Sequence, residues 1–204
     1  LTLTPATEVG SPGFTEDAKV GTGAYAGAEG SYLTFPAAGL VNDEFSAVMW
    51  YKLNPEPNRA GVLVMGPEGE DAPPATLNNG FKFFREAGGD NQVFKLNAGN
   101  GEGNNWFDGG QDASLDPTVD TDWQHLAFTI SPEGNTVYIN GNVVRTGDFP
   151  GPSWEGVEIM SIMSGAPNFT HWNHNSDASQ LDELRIFNRA LTQEEIQQII
   201  DDEN

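Results

Sequence analysis

Apolar positions in this chain fall in short runs separated by turn-forming residues, and the runs keep strand spacing rather than helix spacing. Phe45 to Leu53 (FSAVMWYKL) is almost continuously apolar and too short for most helices. It therefore predicts a central strand covered on both faces, ended by Pro55 and Pro57. Ser31 to Phe35 and Gly61 to Met65 give two further strands. Phe81 to Glu86 and Gln92 to Asn97 flank Ala87-Gly88-Gly89-Asp90-Asn91, a set of residues able to take positive φ, and so predict a hairpin. Trp123 to Ile130, Thr136 to Asn140 and Val143 to Arg145 form a meander. Its second turn, Asn140-Gly141, suits the type I′ geometry of a two-residue hairpin. Val157 to Met163 and Leu181 to Phe187 complete the strands, and Thr192 with Glu195 writes a capping box for a short acidic helix from Gln193 to about Ile200.

Between these elements lie stretches dense in Gly, Pro, Asn and Asp. Leu1 to Gly30 is cut into short pieces by Gly21, Gly23, Gly27 and Gly30, and Gly66 to Gly80, Asn97 to Asp112 and Ser164 to Gln180 read as loops. No internal repeat or linker interrupts the pattern. Many short strands joined by turns predict an all-β protein built as a two-sheet antiparallel sandwich with one short C-terminal helix. The expectation is a single domain over residues 1–204, since one sandwich commonly takes about 200–250 residues. The absence of Met at Leu1 and of a charged-then-apolar leader suggests a mature fragment, or a domain excised from a larger protein.

Composition narrows the partners. Apolar residues make up 37% of the chain, including 12 Phe and 5 Trp, enough for a core without disulfides. There is no Cys, so the redox compartment cannot be read. The 30 acidic residues outweigh 9 basic ones, for a net charge of -21. A field of that sign repels phosphate backbones and anionic membrane surfaces, which excludes nucleic acid and disfavours polyanionic glycans. Neutral glycans fit better. No stretch reaches the roughly 20 apolar residues of a membrane span, so membrane insertion by this domain is not expected.

Two motifs carry a family likeness. WQHLAFTISPEGNTVYING, followed by LDELRIFNRALTQEEI, resembles the laminin-G-like jelly-roll domains of the concanavalin A-like superfamily, and FSAVMWYKL fits the strand that precedes them. The likeness covers roughly residues 20 to 200 and implies two curved antiparallel sheets packed face to face, with loops along one edge and a concave face open to ligand. Such folds host glycan-binding modules, adhesion domains and some glycan-cleaving enzymes, so function has to be argued from a site. The setting implied is an exported or surface-anchored bacterial protein, in the manner of modules that accompany polysaccharide-uptake systems.

Candidate site residues follow from type and setting. Trp106 beside Asn105, Trp154, and the run His171-Trp172-Asn173-His174 all sit among turn formers. A large aromatic there either offers a face to the C–H groups of a sugar ring or pins the loop to the sandwich. Asn105, His171, Asn173 and His174 could bond sugar hydroxyls. Trp50 and Trp123 lie in strands and read as core, and His125 reads as a satisfied sheet histidine. Arg85, in a chain poor in cations, could stand on the ligand face. Calcium takes six to eight oxygens, for which Asp182 is the first candidate, with Asp177, Asp43 and Glu29 behind it. Zinc at His171 and His174 lacks the three or four ligands it needs.

Catalysis finds little support in the residues. A retaining glycosidase needs two carboxylates about 5 Å apart. Glu68-Gly69-Glu70-Asp71 lies in a Pro/Gly loop and Asp182-Glu183 points to opposite faces, so neither pair suits. Three readings stand: a non-catalytic carbohydrate-binding module, a protein-adhesion or spacer domain, and a glycan-cleaving enzyme. Solvent-facing tryptophans separate the first from the second, and polysaccharide turnover separates the third.

Overall fold

The computed structural model describes residues 5–67 and 77–204. Three short strands open the chain, β1 (Thr7–Val9), β2 (Gly13–Thr15) and β3 (Ala24–Ala26), followed by β4 (Tyr32–Pro36), β5 (Phe45–Lys52) and β6 (Arg59–Pro67). The predicted hairpin is β7 (Phe81–Gly88) and β8 (Asn91–Gly99); β9 (Asn104–Asp108) and β10 (Ser114–Leu115) come next. The meander is β11 (Gln124–Ser131), β12 (Gly134–Ile139) and β13 (Asn142–Gly147). Last come β14 (Val157–Ile162), β15 (Gln180–Phe187) and α1 (Gln193–Asp202).

These strands form two antiparallel sheets. One has the order β1-β4-β14-β6-β7-β8-β10 with β9 also paired to β8, and the other β13-β12-β11-β5-β15-β3-β2. The chain passes repeatedly between the two sheets, as in a jelly roll, and β5 lies between β11 and β15 as a central strand should. Asn140 and Gly141 take φ of 50° and 75°, the positive values a type I′ turn requires. The three strands before Gly30 are only three residues each, too short to show a period in sequence. Asn97 to Asp112 is not all loop. Its middle is β9, paired along β8 with Trp106 opposite Asn97, because the open edge of β8 supplies a ladder for a segment whose Asn and Gly content signals a turn.

The inner faces meet in a core rich in phenylalanine. Phe45 and Phe128 from one sheet pack on Phe81 and Phe83 from the other, with ring centroids 4.9 Å apart for Phe45–Phe81 and 5.0 Å for Phe83–Phe128. Trp154 caps this core from its loop, 6.0 Å from Phe45, with its Nε1–H donating to the Asn42 carbonyl at 2.7 Å. It anchors its loop on the sandwich and lies apart from the other loop tryptophans. On the outer face of the second sheet, Val48, Trp50, Ala127 and Tyr138 are covered by Leu191 and by Ile196 and Ile200 of α1. Ile196 and Ile200 stand one helical turn apart, on one face. Thr192 and Glu195 make the predicted capping box that starts this helix. Trp50 belongs to the core, as expected, and donates to Glu203 at 2.6 Å. His125 is buried beside Trp50, but neither ring nitrogen has a partner among the described residues.

Arg85 departs most from expectation. It shares the inward face with Phe81 and Phe83, is fully buried, and forks onto Asp177 with Nε to Oδ2 at 3.0 Å and Nη2 to Oδ1 at 2.9 Å. Its remaining hydrogens donate to the carbonyls of Asn54 (2.9 Å) and Pro57 (2.8 Å) and to Gln92. Asp177 also accepts from Tyr51 at 2.6 Å and from the Ser179 backbone at 2.9 Å. Burial above all holds the Tyr51 phenol well above its usual pKa, so it stays a donor. Arg85 is thus a pin between the loop after β5 and the loop before β15. Removing one member of such a pair strands the other charge in the interior. Asp177→Ala should lower the unfolding free energy by about 3–5 kcal/mol in urea melts, and Arg85→Met combined with Asp177→Leu should recover most of that loss.

Candidate functional site

Alternation along β7 sends Phe84 and Glu86 to the opposite face of the sheet from Phe81, Phe83 and Arg85. On that outer face Trp106 rises from β9, 42% exposed, with its ring edge-on to Phe84 at 5.9 Å. The loop before β15 brings Trp172 to 5.8 Å from Trp106, the two rings inclined at 54°. Beneath them Phe169 and His174 stack at 4.7 Å and both pack on Phe84. The loop holds this shape through its own backbone: Gly165 donates to the His174 carbonyl at 2.9 Å and Phe169 donates to Gly165 at 2.6 Å. A Cβ at Gly165 would collide with the carbonyls of His174 and Phe169, so only glycine fits there.

A charged rim borders the rings. Lys95 bridges Glu86 at 2.6 Å and Asp108 at 2.7 Å, while Arg59 reaches Glu86 at 3.3 Å and the Trp172 carbonyl at 3.3 Å. His174 is 1% exposed, and neither ring nitrogen has a hydrogen-bond partner among the described residues. Its nearest carboxylate, Glu86, lies 3.7 Å away, beyond hydrogen-bond length. Burial, more than the opposing Glu86 charge can offset, pushes the His174 pKa down to about 4, so the ring is neutral at pH 7. Arg59, Phe84, Glu86, Trp106, Trp172 and His174 enclose a cleft of about 300 Å³. A partly exposed aromatic pair bordered by charged side chains is an arrangement suited to a ligand that offers an apolar face and hydroxyl groups.

The structure thus brings Trp106, Trp172 and His174 together. His171 is exposed at the margin, edge-on to Trp172 at 5.4 Å. Asn173 lines a neighbouring groove. Asn105 alternates away from Trp106 and donates to the Asp148 carbonyl at 3.2 Å, so it does not join the cleft. Arg85 lies on the other side of the sheet, as described above. Residue type alone missed Arg59, Glu86, Phe84 and Lys95. Arg59 and Glu86 face each other only through the β6–β7 register, which no local spacing reveals.

The four carboxylates considered for calcium do not gather. Asp177 is occupied by Arg85, Tyr51 and Ser179, and Asp182 accepts the backbone N–H groups of Lys19, Val20 and Glu183 at 2.8, 3.0 and 2.9 Å. Glu29 lines the groove beside Asn173, whereas Asp43 lines a separate recess with Asn100 and Pro150. Among the described residues no group of three or more His, Cys, Asp or Glu is placed to hold a metal ion. These residues do not fit the calcium site expected of them. Glu68 to Asp71 lie outside the described residues.

Comparison with known proteins places this geometry in context. A laminin-G family model, described as concanavalin A-like lectin/glucanases superfamily, matches residues 27–197. No curated protein matches the sequence. Among solved structures, domain 4 of AbnA, an extracellular arabinanase from Geobacillus stearothermophilus, in complex with arabinotriose, has a TM-score of 0.67 at 22% identity, over 96% of this chain and 87% of that one. The binding domain of botulinum neurotoxin DC in complex with SialylT has a TM-score of 0.67 at 13% identity over 98% of this chain. This chain spans about half of that domain, 47% of its length. A heptameric SAP-like pentraxin from Limulus polyphemus has a TM-score of 0.52 at 16% identity, over 78% of this chain and 70% of that one.

The buried histidines carry a consequence for stability. In the unfolded chain a histidine takes a proton near pH 6.5, while His174 and His125, both lowered chiefly by burial, take theirs only near pH 4. The unfolded state therefore binds the extra proton first, and stability falls as pH drops from about 6.5 to about 4 and levels off below, by roughly 3 kcal/mol per histidine. Urea melts across this range should show the fall, and His174→Phe should remove about half of the histidine contribution. An unchanged slope in that variant would place the His174 ring in water.

Proposed function

The chain belongs to the concanavalin A-like lectin/glucanases superfamily, and we propose that it is a non-catalytic carbohydrate-binding module whose site is the Trp106–Trp172 cleft. The observation that carries this reading is the indole pair inclined at 54°, Trp106 exposed and Trp172 partly buried, set beside the Arg59–Glu86 rim. In the proposed mechanism the sugar lays its C–H face on the two indoles, releasing water from apolar surface on both sides. Its hydroxyls then donate to the Glu86 carboxylate and accept from Arg59 at the rim.

The same rim argues against hydrolysis. Its two carboxylates, Glu86 and Asp108, are bridged by one cation, Lys95. Slight burial works to raise the pKa of Asp108, but the hydrogen bond from Lys95 outweighs it and holds the group below the usual carboxylate range. A general acid needs the opposite shift. Neutral glycans are the proposed partners, since a chain of net charge -21 repels polyanions. We assign calcium no part in the binding. We propose that the module works outside the cell, secreted or on a bacterial surface. The extracellular setting of the arabinanase neighbour agrees with that, and among the described residues no helix is long and apolar enough to cross a membrane.

Affinity electrophoresis against neutral and anionic polysaccharides tests the proposal. The protein should be retarded by a neutral glycan, with or without a calcium chelator, and should release no reducing ends from it. Trp106→Ala and Trp172→Ala should each weaken binding by about tenfold or more, as truncating a central aromatic does at other recognition sites. Retardation by no glycan, with both variants folded, would favour a protein-adhesion or spacer domain.

A further inference from the structure

The cleft does not end at Arg59. That residue also lines a larger groove of about 730 Å³ bordered by Asn54, Asn58, Asn173 and Asn175. The segment from 172 to 175 runs along the boundary, with Trp172 and His174 lining the cleft and Asn173 and Asn175 lining the groove. Asn173 takes a positive φ of 64°, part of the turn that sets this alternation. The Asn54 amide is held by the Glu56 N–H and the Ala178 carbonyl, while a side-chain amide such as those of Asn58, Asn173 and Asn175 carries donors and an acceptor together, the pairing that a polyol's hydroxyl groups call for. Pockets of about 300–1,000 Å³ hold molecules of drug size, so the groove has room for more sugar beyond a ring seated on the tryptophans.

The groove is also built in advance of binding. Its two walls, the loop after β5 and the loop before β15, are tied from beneath by Arg85, which bonds the Asn54 and Pro57 carbonyls on one side and Asp177 on the other. A wall already ordered in the free protein loses little entropy when ligand arrives. Its charge selects against acid sugars: Glu29 and Glu56 in the groove and Glu86 and Asp108 at the cleft face only Arg59 and Lys95 among the described cations that line or rim these cavities.

We infer that the aromatic cleft and the amide-lined groove are one extended site for a neutral oligosaccharide chain, with one ring on Trp106 and Trp172 and further units passing Arg59 into the groove. This rests on the carbohydrate reading of the cleft. Calorimetric titration of the whole protein with arabino-, xylo-, gluco- and galacto-oligosaccharide ladders, from monosaccharide to hexasaccharide, separates the two. For the ladder that binds, affinity should rise by about tenfold or more with length, and Asn58→Ala with Asn175→Ala should cut that gain by roughly threefold to thirtyfold. Trp106→Ala should weaken every length alike. Affinity independent of length, or a full gain retained by the folded groove variant, would overturn the extended site while leaving the cleft intact. Failure of every ladder to bind the wild type would overturn the carbohydrate reading and this inference with it.

Discussion

The buried pair of Arg85 and Asp177 is the constraint on which the site depends. Moving both charges out of water costs several kcal/mol per ion, and only near-complete satisfaction of the guanidinium and carboxylate offsets it. Arg85 reaches that condition by forking onto Asp177 and giving its other hydrogens to Asn54, Pro57 and Gln92, while Tyr51 and Ser179 complete the carboxylate. The carbonyls of Asn54 and Pro57 belong to one irregular loop and Asp177 to another. The pair therefore converts two stretches without regular hydrogen bonding into fixed walls.

From those walls the functional side chains project. β6 begins at Arg59, directly after the loop that Arg85 holds, and the segment bearing Trp172 and His174 ends at Asp177. On the other face of β7, one residue either side of Arg85, Phe84 and Glu86 form the floor and rim of the cleft. β7 thus supports the site on both sides: its inward residue Arg85 anchors the loops and its outward residues line the cleft. The buried His174 ring lies between Phe84 and Phe169 with its nitrogens unpartnered among the described residues, a cost to the fold.

Much of the fold was legible in sequence because its strands are local patterns. FSAVMWYKL, the Asn140-Gly141 turn and the Thr192–Glu195 capping box each state their structure within ten residues, and each holds. The site was legible only in part. Trp106 and Trp172 stand out as aromatics among turn formers, and they do converge. Trp154 has the same local setting and packs on the core instead, since what a loop tryptophan covers depends on where its loop lies. Arg85 was misplaced because strand alternation gives two faces without saying which is inward; Phe81 and Phe83 beside it were the signal. Arg59 and Glu86 meet across strands separated by a long connection, which sequence spacing cannot register.

The central claim is that the indoles of Trp106 and Trp172, which meet at the cleft, hold the ligand, and not those of Trp50, Trp123 and Trp154. It is tested most directly by following the five tryptophan indole N–H resonances during titration with a neutral oligosaccharide that retards the protein. The account predicts shifts concentrated on Trp106 and Trp172, with Trp50, Trp123 and Trp154 unmoved. Shifts centred on Trp154 or Trp123, with Trp106 and Trp172 silent at saturation, would contradict it.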